Sequence, residues 1–351
     1  MNFAVGQWLL DKLLKPAMRF FASTSAFLLL LTAGTGSIAH AQVYLLHSEE
    51  GDLVGRVETI RIDSEETLAD VARLHNVGHE EIRMANPTVE FWLPAAGTEV
   101  ILPKRHILPR ARREGIVLNV PEMRLYYFPH ACTEDADCMV VTHPVSIGRM
   151  DWQTPLGTTR VTSKVSNPTW LPPESIRQEA AEEGNFLPAV VPPGPNNPMG
   201  AYALHLDIPG YRIHGTNRPY GVGMRATHGC VRMYPEDIEV LYNETRIGTA
   251  VQIVSQPVKF GWVGATLFME AHPPLEEDTE GNAHLKDIAL DQLEVLAQER
   301  TFTLNGREFQ RVLKELSGMP VVISRGSGAT KNRTGVSRSG VEVTVSTPDT
   351  N

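Results

Sequence analysis

Ile213-His214-Gly215-Thr216-Asn217, followed by Thr227-His228-Gly229-Cys230-Val231-Arg232-Met233, is the stretch on which the reading of this chain turns. A free thiol is only about a few per cent thiolate at neutral pH, and it becomes an effective nucleophile when an imidazole takes its proton. His214 closes the strand-like run Tyr211-Arg212-Ile213-His214, and Cys230 stands just ahead of a helix-like segment, Pro235 to Tyr242. A strand, loop and turn of that length can bring thiol and imidazole face to face. The positive end of the following helix favours a thiolate. Gly229 permits a sharp turn and leaves backbone N–H groups, that of Cys230 first, free to face a developing oxyanion. Plainer readings stand beside these: His228 as a hydrogen-bonded structural histidine, and Cys230 as a small buried hydrophobe. His205, His214, His228 and Cys230 are also metal-capable, but their spacing fits no familiar zinc pattern. We expect no metal and no organic cofactor.

Outward from this stretch the chain is rich in short strands. Ile116-Val117-Leu118-Asn119-Val120 and Arg124-Leu125-Tyr126-Tyr127-Phe128 flank Pro121-Glu122. Met139 to Ile147, Gly157 to Thr162, Ala203 to Leu206 and Ala250 to Val254 continue the pattern. Short strands between turn signals predict a β-dominated domain. Phe186 to Gly200, with its run of prolines, reads as an ordered loop or lid. Lys104 to Arg113 is basic, contains proline and reads as a linker. Ahead of it, Thr67 to Leu74 has helical apolar spacing with Asp63 and Ser64 as possible caps. A second short helix near Glu80 to Met84 ends at Asn86-Pro87, and Gly97 to Pro103 is a strand. After Trp262 the signal weakens to two amphipathic helices, His284 to Gln298 and Arg307 to Leu316. Residues 325–351 are polar and small, and read as a disordered tail.

The first 41 residues fit none of this. Lys12, Lys15 and Arg19 precede an apolar run from Phe20 to Ala33, then small residues end in Ala39-His40-Ala41. That order is a secretory signal peptide. An uncleaved anchor is the competing reading, although a span needs roughly 20 apolar residues and this run is diluted by Ser23-Thr24-Ser25. The whole chain has a formal net charge of −9, and removing that segment makes it more acidic. A nucleic-acid binder needs a clustered basic surface, so nucleic acid is excluded as a partner. The ~310 residues that follow suggest two domains, or one with appendages. Export also frames the three cysteines. Cys132 and Cys138 bracket a short polar loop between two strands and are the natural disulfide, one that stabilises by only ~2 kcal/mol. Cys230 is left as the free thiol. An exported chain that keeps an oxidisable cysteine has a use for it.

The string His214-Gly-Thr-Asn, Gly221, then Thr227-His-Gly-Cys230-Val-Arg232 resembles the motif of the L,D-transpeptidase (YkuD) family. The resemblance runs from about Gly115 to Val258 and takes in Asn119 to Tyr127, Pro168-Thr169-Trp170, Pro193 to Gly200 and Gln256 to Lys259. It looks like the ErfK and YbiS branch of periplasmic enzymes. The strand–helix–helix–strand order before it, with Thr67-Leu68, Asn86-Pro87 and Gly97 to Pro103, resembles a LysM module, with Glu65-Glu66 where glycine-aspartate is usual. The fold implied is mainly β. It has a β-sandwich-like YkuD-type catalytic domain at 114–256, a small α/β LysM-like module at 57–104 and a C-terminal helical extension at 263–324.

The resemblance also implies a mechanism. Cys230 attacks a peptidoglycan stem peptide between diaminopimelate and D-alanine, with His214 as base and the Gly215 carbonyl orienting it. Thr227, His228 and Gly229 shape the oxyanion side. For Arg232 two readings stand, a bidentate contact to a substrate carboxylate and a surface salt bridge. The acyl group then passes to another stem's diaminopimelate or to an outer-membrane lipoprotein lysine. The LysM-like module would hold glycan strands, and the periplasm is the expected location. A hydrolase using water as acceptor, and a non-catalytic wall-binding protein, are the rival functions.

Overall fold

The structure is a computed structural model that describes residues 42–46, 51–63, 65–133, 138–278 and 281–326. The expected signal segment lies outside these residues. So does the expected tail, except Arg325 and Gly326, which still belong to a strand. No helix among the described residues is long and apolar enough to cross a membrane.

The N-terminal part holds β1 (Gln42–Leu46), β2 (Leu53–Gly55), β3 (Glu58–Arg61), α1 (Leu68–Leu74), α2 (His79–Ala85), β4 (Glu99–Leu102) and β5 (Arg105–Ile107). β3 and β4 pair antiparallel, and the two helices bury Leu68, Val71 and Ile82 against Val100 and Leu102. Asp63 does not cap α1, and Ser64 lies outside the described residues; the cap is Thr67. Its hydroxyl accepts from Asp70 N at 3.1 Å, while the Asp70 carboxylate accepts from Thr67 N at 3.0 Å; such a reciprocal box satisfies two otherwise orphan donors. Asn86 ties the end of α2 to β4. Its amide donates to Ile82 O and Ile101 O and accepts from Ile101 N. The supposed linker at 104–113 is structured: β5 pairs with β2, and Ile107 is wholly buried against Phe268 and Leu53. Its basic residues hid this, because Arg105 finds an aromatic face on Phe268 at 4.6 Å instead of solvent.

The central part follows with β6 (Gly115–Asn119), β7 (Arg124–Phe128), β8 (Cys138–Pro144), β9 (Ile147–Gly148), β10 (Gly157–Ser166), α3 (Glu174–Glu182), β11 (Tyr202–Leu206), β12 (Arg212–His214), β13 (Arg225–Thr227), β14 (Val231–Arg232), α4 (Pro235–Glu244) and β15 (Ala250–Val254). One nine-stranded sheet runs β1-β8-β7-β6-β15-β10-β11-β12-β14. Both of its faces are covered. Ile116, Leu118, Leu125 and Tyr127 enter one apolar cluster, while Val117, Tyr126 and Phe128 enter the other. That division follows from side chains alternating along a strand. Cys132 and Cys138 form a disulfide ahead of β8. α4 starts with Pro235 at its first turn, where the missing N–H costs nothing, and buries Ile238 and Leu241 under β11 and β12.

The C-terminal part differs most from expectation. Both expected helices are present, α5 (Gly281–Glu299) and α6 (Gly306–Glu315). They lie on an antiparallel four-stranded sheet formed by β16 (Val258–Val263), β17 (Thr266–Ala271), β18 (Phe302–Leu304) and β19 (Val321–Gly326). The extension is thus α/β; it starts at Val258, between the ranges expected for the catalytic domain and the extension, and runs to Gly326, just inside the expected tail. β16 and β17 are buried on both faces over most of their length, so they lack the alternation that marks a half-exposed strand.

Candidate active site

β12 and β14 lie parallel at one edge of the nine-stranded sheet, with Ile213 opposite Val231 and His214 opposite Arg232. Ile213 and Val231 are 1% and 2% exposed and point into the core. Alternation therefore sends Arg212, His214 and Arg232 to the other face. Those three side chains and Cys230 line a single cavity of about 240 Å³, together with Trp152, Trp170, Tyr211, Thr227 and His228. Strand spacing and rise place Cys230 and His214 on a diagonal of about 8 Å between Cα atoms. Cys230 is the free thiol. Its sulfur donates to the Gly210 carbonyl at 3.6 Å, so the S–H must turn away from that carbonyl to deliver its proton to the imidazole.

His214 is 4% exposed, and its Nδ1–H donates to the Gly215 carbonyl at 2.7 Å. That bond fixes the tautomer and leaves Nε2 as the proton acceptor. Burial, followed by the Arg232 cation, pushes the imidazole down to about 3, against the opposing pull of the Gly215 carbonyl. Burial pushes the Cys230 thiol up, while the Arg212 backbone N–H and the Arg212 and Arg232 cations pull it down.

The turn carrying the thiol is held from both sides. Gly229 has φ +92°, a left-handed value, and a Cβ there would stand 2.7 Å from the Tyr211 ring. Thr154 donates its hydroxyl to the Gly229 carbonyl at 3.0 Å and accepts from Gly148 N at 3.0 Å. Because the peptide is trans and planar, turning that carbonyl toward buried Thr154 directs the Cys230 N–H the opposite way. The Thr227 hydroxyl donates to the Cys230 carbonyl at 2.6 Å, so it braces the turn and is not aimed at an oxyanion. His228 stands against Trp152 at 5.3 Å between ring centroids, and its Nε2 bonds Glu179 at 2.8 Å. Arg149 pairs with the other oxygen of Glu179. α3, which carries Glu179, also sets Ile176 in the cavity wall. Across from it, Asn197 fixes the proline-rich loop by donating to Pro168 O at 2.8 Å and accepting from Met199 N at 2.9 Å. Pro198 and Met199 thereby face the thiol's cavity.

Of the residues singled out in the sequence, Cys230, His214, Thr227, His228 and Arg232 meet in this cavity, and Gly215 and Gly229 hold two of them in place. Of the four metal-capable residues, His205 is absent from the lining. A different trio, Glu122, Glu270 and His272, is grouped closely enough to hold an ion, yet the Lys259 ammonium already contacts both carboxylates at 2.8 and 2.7 Å. Sequence reasoning missed Thr154, Glu179 and Arg212. Only Arg212 had a usable signal, since it stands two positions before His214 in a strand and so must share its face.

The sequence pattern of the L,D-transpeptidase catalytic domain, YkuD, matches residues 113–253. Probable L,D-transpeptidase ErfK/SrfK of Salmonella typhimurium is 39% identical over 291 residues, covering 81% of this chain and 91% of that protein. Probable L,D-transpeptidase YbiS of Escherichia coli strain K12 is 38% identical, covering 82% and 94%. Among solved structures, the catalytic domain from an E. faecium L,D-transpeptidase is a distant likeness. It is 18% identical with a TM-score of 0.31, covering 42% of this chain and 100% of that one. With the pattern falling on the sheet that carries the thiol, and near-40% relatives spanning almost their full length, the chain belongs to the L,D-transpeptidase (YkuD) family.

Proposed function

We propose that this chain is a peptidoglycan L,D-transpeptidase in which Cys230 is the nucleophile and His214 its base. The thiol proton passes to His214 Nε2 as the sulfur attacks the diaminopimelate carbonyl that joins D-alanine in a stem tetrapeptide. The Cys230 N–H is the donor for the resulting oxyanion. Collapse forms the thioester and breaks the C–N bond, and His214 returns the proton to the departing D-alanine amine. An acceptor amine then attacks the thioester, gives its proton to His214 and restores the thiol. The Gly215 carbonyl takes the orienting place that a carboxylate fills in other triads. What carries this reading is that thiol and imidazole share one face of adjacent strands and one cavity.

The acceptor is a diaminopimelate amine of another stem or a lysine of an outer-membrane lipoprotein, reached in the periplasm after export. The 57–104 module is LysM-like, and we assign it glycan strands. Trp92 and Leu93, 61% and 81% exposed beside Phe91, offer a sugar-stacking surface.

Purified protein incubated with tetrapeptide muropeptides, with and without an acceptor peptide, tests this by product mass. Loss of alanine coupled to adduct formation is expected, and none with Cys230→Ser. Alanine loss without any adduct would make the protein a hydrolase. Unchanged products from Cys230→Ser would overturn the assignment of the nucleophile.

A further inference from the structure

The cavity around Cys230 holds two cations and no anion. Arg212 and Arg232 project from β12 and β14 on the face shared with His214 and Cys230, and both line the cavity. Neither guanidinium is paired with a carboxylate among the described residues. In each of them the Nε atom is buried without a hydrogen-bond partner. The rest of the wall is largely apolar: Trp152, Trp170, Pro173, Ile176, Pro198 and Met199. A buried unpaired donor in such surroundings costs stability. The same surroundings strengthen any charge-assisted bond made there. A fold that keeps two forks unfilled on either side of its nucleophile is built for anionic groups arriving with the substrate.

We infer that Arg212 is a second carboxylate-binding residue, so that with Arg232 the site selects acyl donors bearing two carboxylates, one on each side of the scissile amide. This deepens the transpeptidase reading and rests on Cys230 being its nucleophile. The placement follows from the strand register. Cys230 and His214 define one diagonal of a four-residue rectangle, and Arg212 and Arg232 occupy the other two corners. A scissile amide lying from sulfur toward imidazole is therefore flanked by a guanidinium on either hand. The residue lost from the donor carries a carboxylate within about 4 Å of the scissile carbonyl carbon, by bond lengths alone. The acylated residue needs its carboxylate on its side chain. A stem peptide ending in diaminopimelate and alanine meets both conditions, and one whose side-chain carboxylate is amidated or missing does not.

Three synthetic tetrapeptide donors separate the terms: both carboxylates free, the C-terminal one amidated, or the side-chain one amidated. With the wild-type chain each amidation raises KM by roughly tenfold to a hundredfold, the worth of one charge-assisted bond, with a smaller change in kcat. Arg212→Gln, checked for folding by its melting curve, loses the penalty for one amidation and keeps the other. Arg232→Gln shows the complementary pattern, and Arg212→Lys recovers part of the preference. The same three peptides titrated calorimetrically against Cys230→Ala give the preference without turnover. Identical amidation penalties in wild type and Arg212→Gln, in either assay, would overturn the inference while leaving the transpeptidase intact. Absence of turnover with every donor, alongside carboxylate-dependent binding, would instead reject the proposed reaction and retain the clamp.

Discussion

His214 and Cys230 begin as a neutral pair. Burial and the Arg232 cation hold the imidazole at about 3, and burial holds the thiol above its usual range. At neutral pH the ring is therefore unprotonated and the sulfur carries its proton, so the resting site is not an ion pair. The two arginines pull in a consistent direction, because a nearby cation disfavours imidazolium and favours thiolate. Donor carboxylates bound to them would cancel much of that field and so relieve the part of the depression that the cations cause, though not the larger part due to burial. In the free protein, carboxamidomethylation of Cys230 by iodoacetamide is expected to rise with pH only as the raised thiol titrates, with no step near the ordinary histidine range. Arg232→Gln shifts that curve to higher pH, since a cation favouring thiolate is gone. A rate plateau reached below pH 7, read by mass spectrometry of the alkylated chain, would mean that a preformed thiolate–imidazolium pair exists after all.

α3 shows how an element without a sequence signature comes to border the site. Four of the nine residues of Glu174–Glu182 are charged and it buries only Ala180, so neither periodicity nor composition marked it. It matters through tertiary contacts: Ile176 walls the cavity, and Glu179 grips Arg149 and His228 together. Those bonds hold the Glu179 carboxyl below the usual carboxylate range, Arg149 first. Glu179→Gln should loosen the helix without unfolding the sheet. Hydrogen exchange of residues 174–182 should quicken, and KM for the donor should rise a few-fold, because partly exposed ion pairs contribute about 1 kcal/mol or less. Unaltered exchange there would show that packing, not the carboxylate, seats α3. The other elements divide along the same line. β6 and β7 were legible because turn residues bracket their apolar runs, and α4 because Pro235 opens it. Thiol and imidazole were legible because few patterns place His-Gly and His-Gly-Cys so close. β5 was hidden by basic residues that find interior partners. β16 and β17 were hidden by burial on both faces. Arg212 belongs to no motif; its place two residues before His214 puts it on the same face, and the pairing of β12 with β14 makes that face the thiol's.

Of the junctions that tie the parts of the described chain together, two lead to predictions about stability and activity. At the first, Lys259 on β16 bonds Glu122 between β6 and β7, Glu270 on β17, and the Ile107 carbonyl on β5 at 2.6 Å. All three charged groups are almost fully buried. Lys259→Met strips the cation from two facing carboxylates and should cost about 3–5 kcal/mol in urea denaturation, the usual penalty for breaking a buried pair. Adding Glu122→Gln and Glu270→Gln should recover a large part of it. A loss no greater in the single variant than in the triple would show that the carboxylates do not depend on that ammonium. At the second junction, the segment linking β12 to β13, between imidazole and thiol, shares the docking of the α1–α2 module with two other elements. One is the start of α4, where Asn76 donates to Asp237 at 2.6 Å and Tyr234 to Val77 O at 3.0 Å; the other is β7, whose Arg124 pairs with Glu81. His79 N donates to Val222 O at 2.9 Å and Glu80 N to Gly223 O at 3.2 Å. Gly223 has φ +89°, and a Cβ on it would lie 2.3 Å from His79 N and 2.5 Å from Gly78 Cα, both backbone atoms that cannot swing aside. Gly223→Ala must therefore strain its own backbone and push the module off the segment that spans the catalytic pair. Neither Thr227 nor the Gly215 hydrogen bond is touched, so any effect on turnover is transmitted through the segment. Hydrogen exchange should speed up in both 79–82 and 217–226, and kcat for alanine release should fall severalfold. Faster exchange with kcat unmoved would mean that the module merely rests on the catalytic part and does not help hold imidazole and thiol in register.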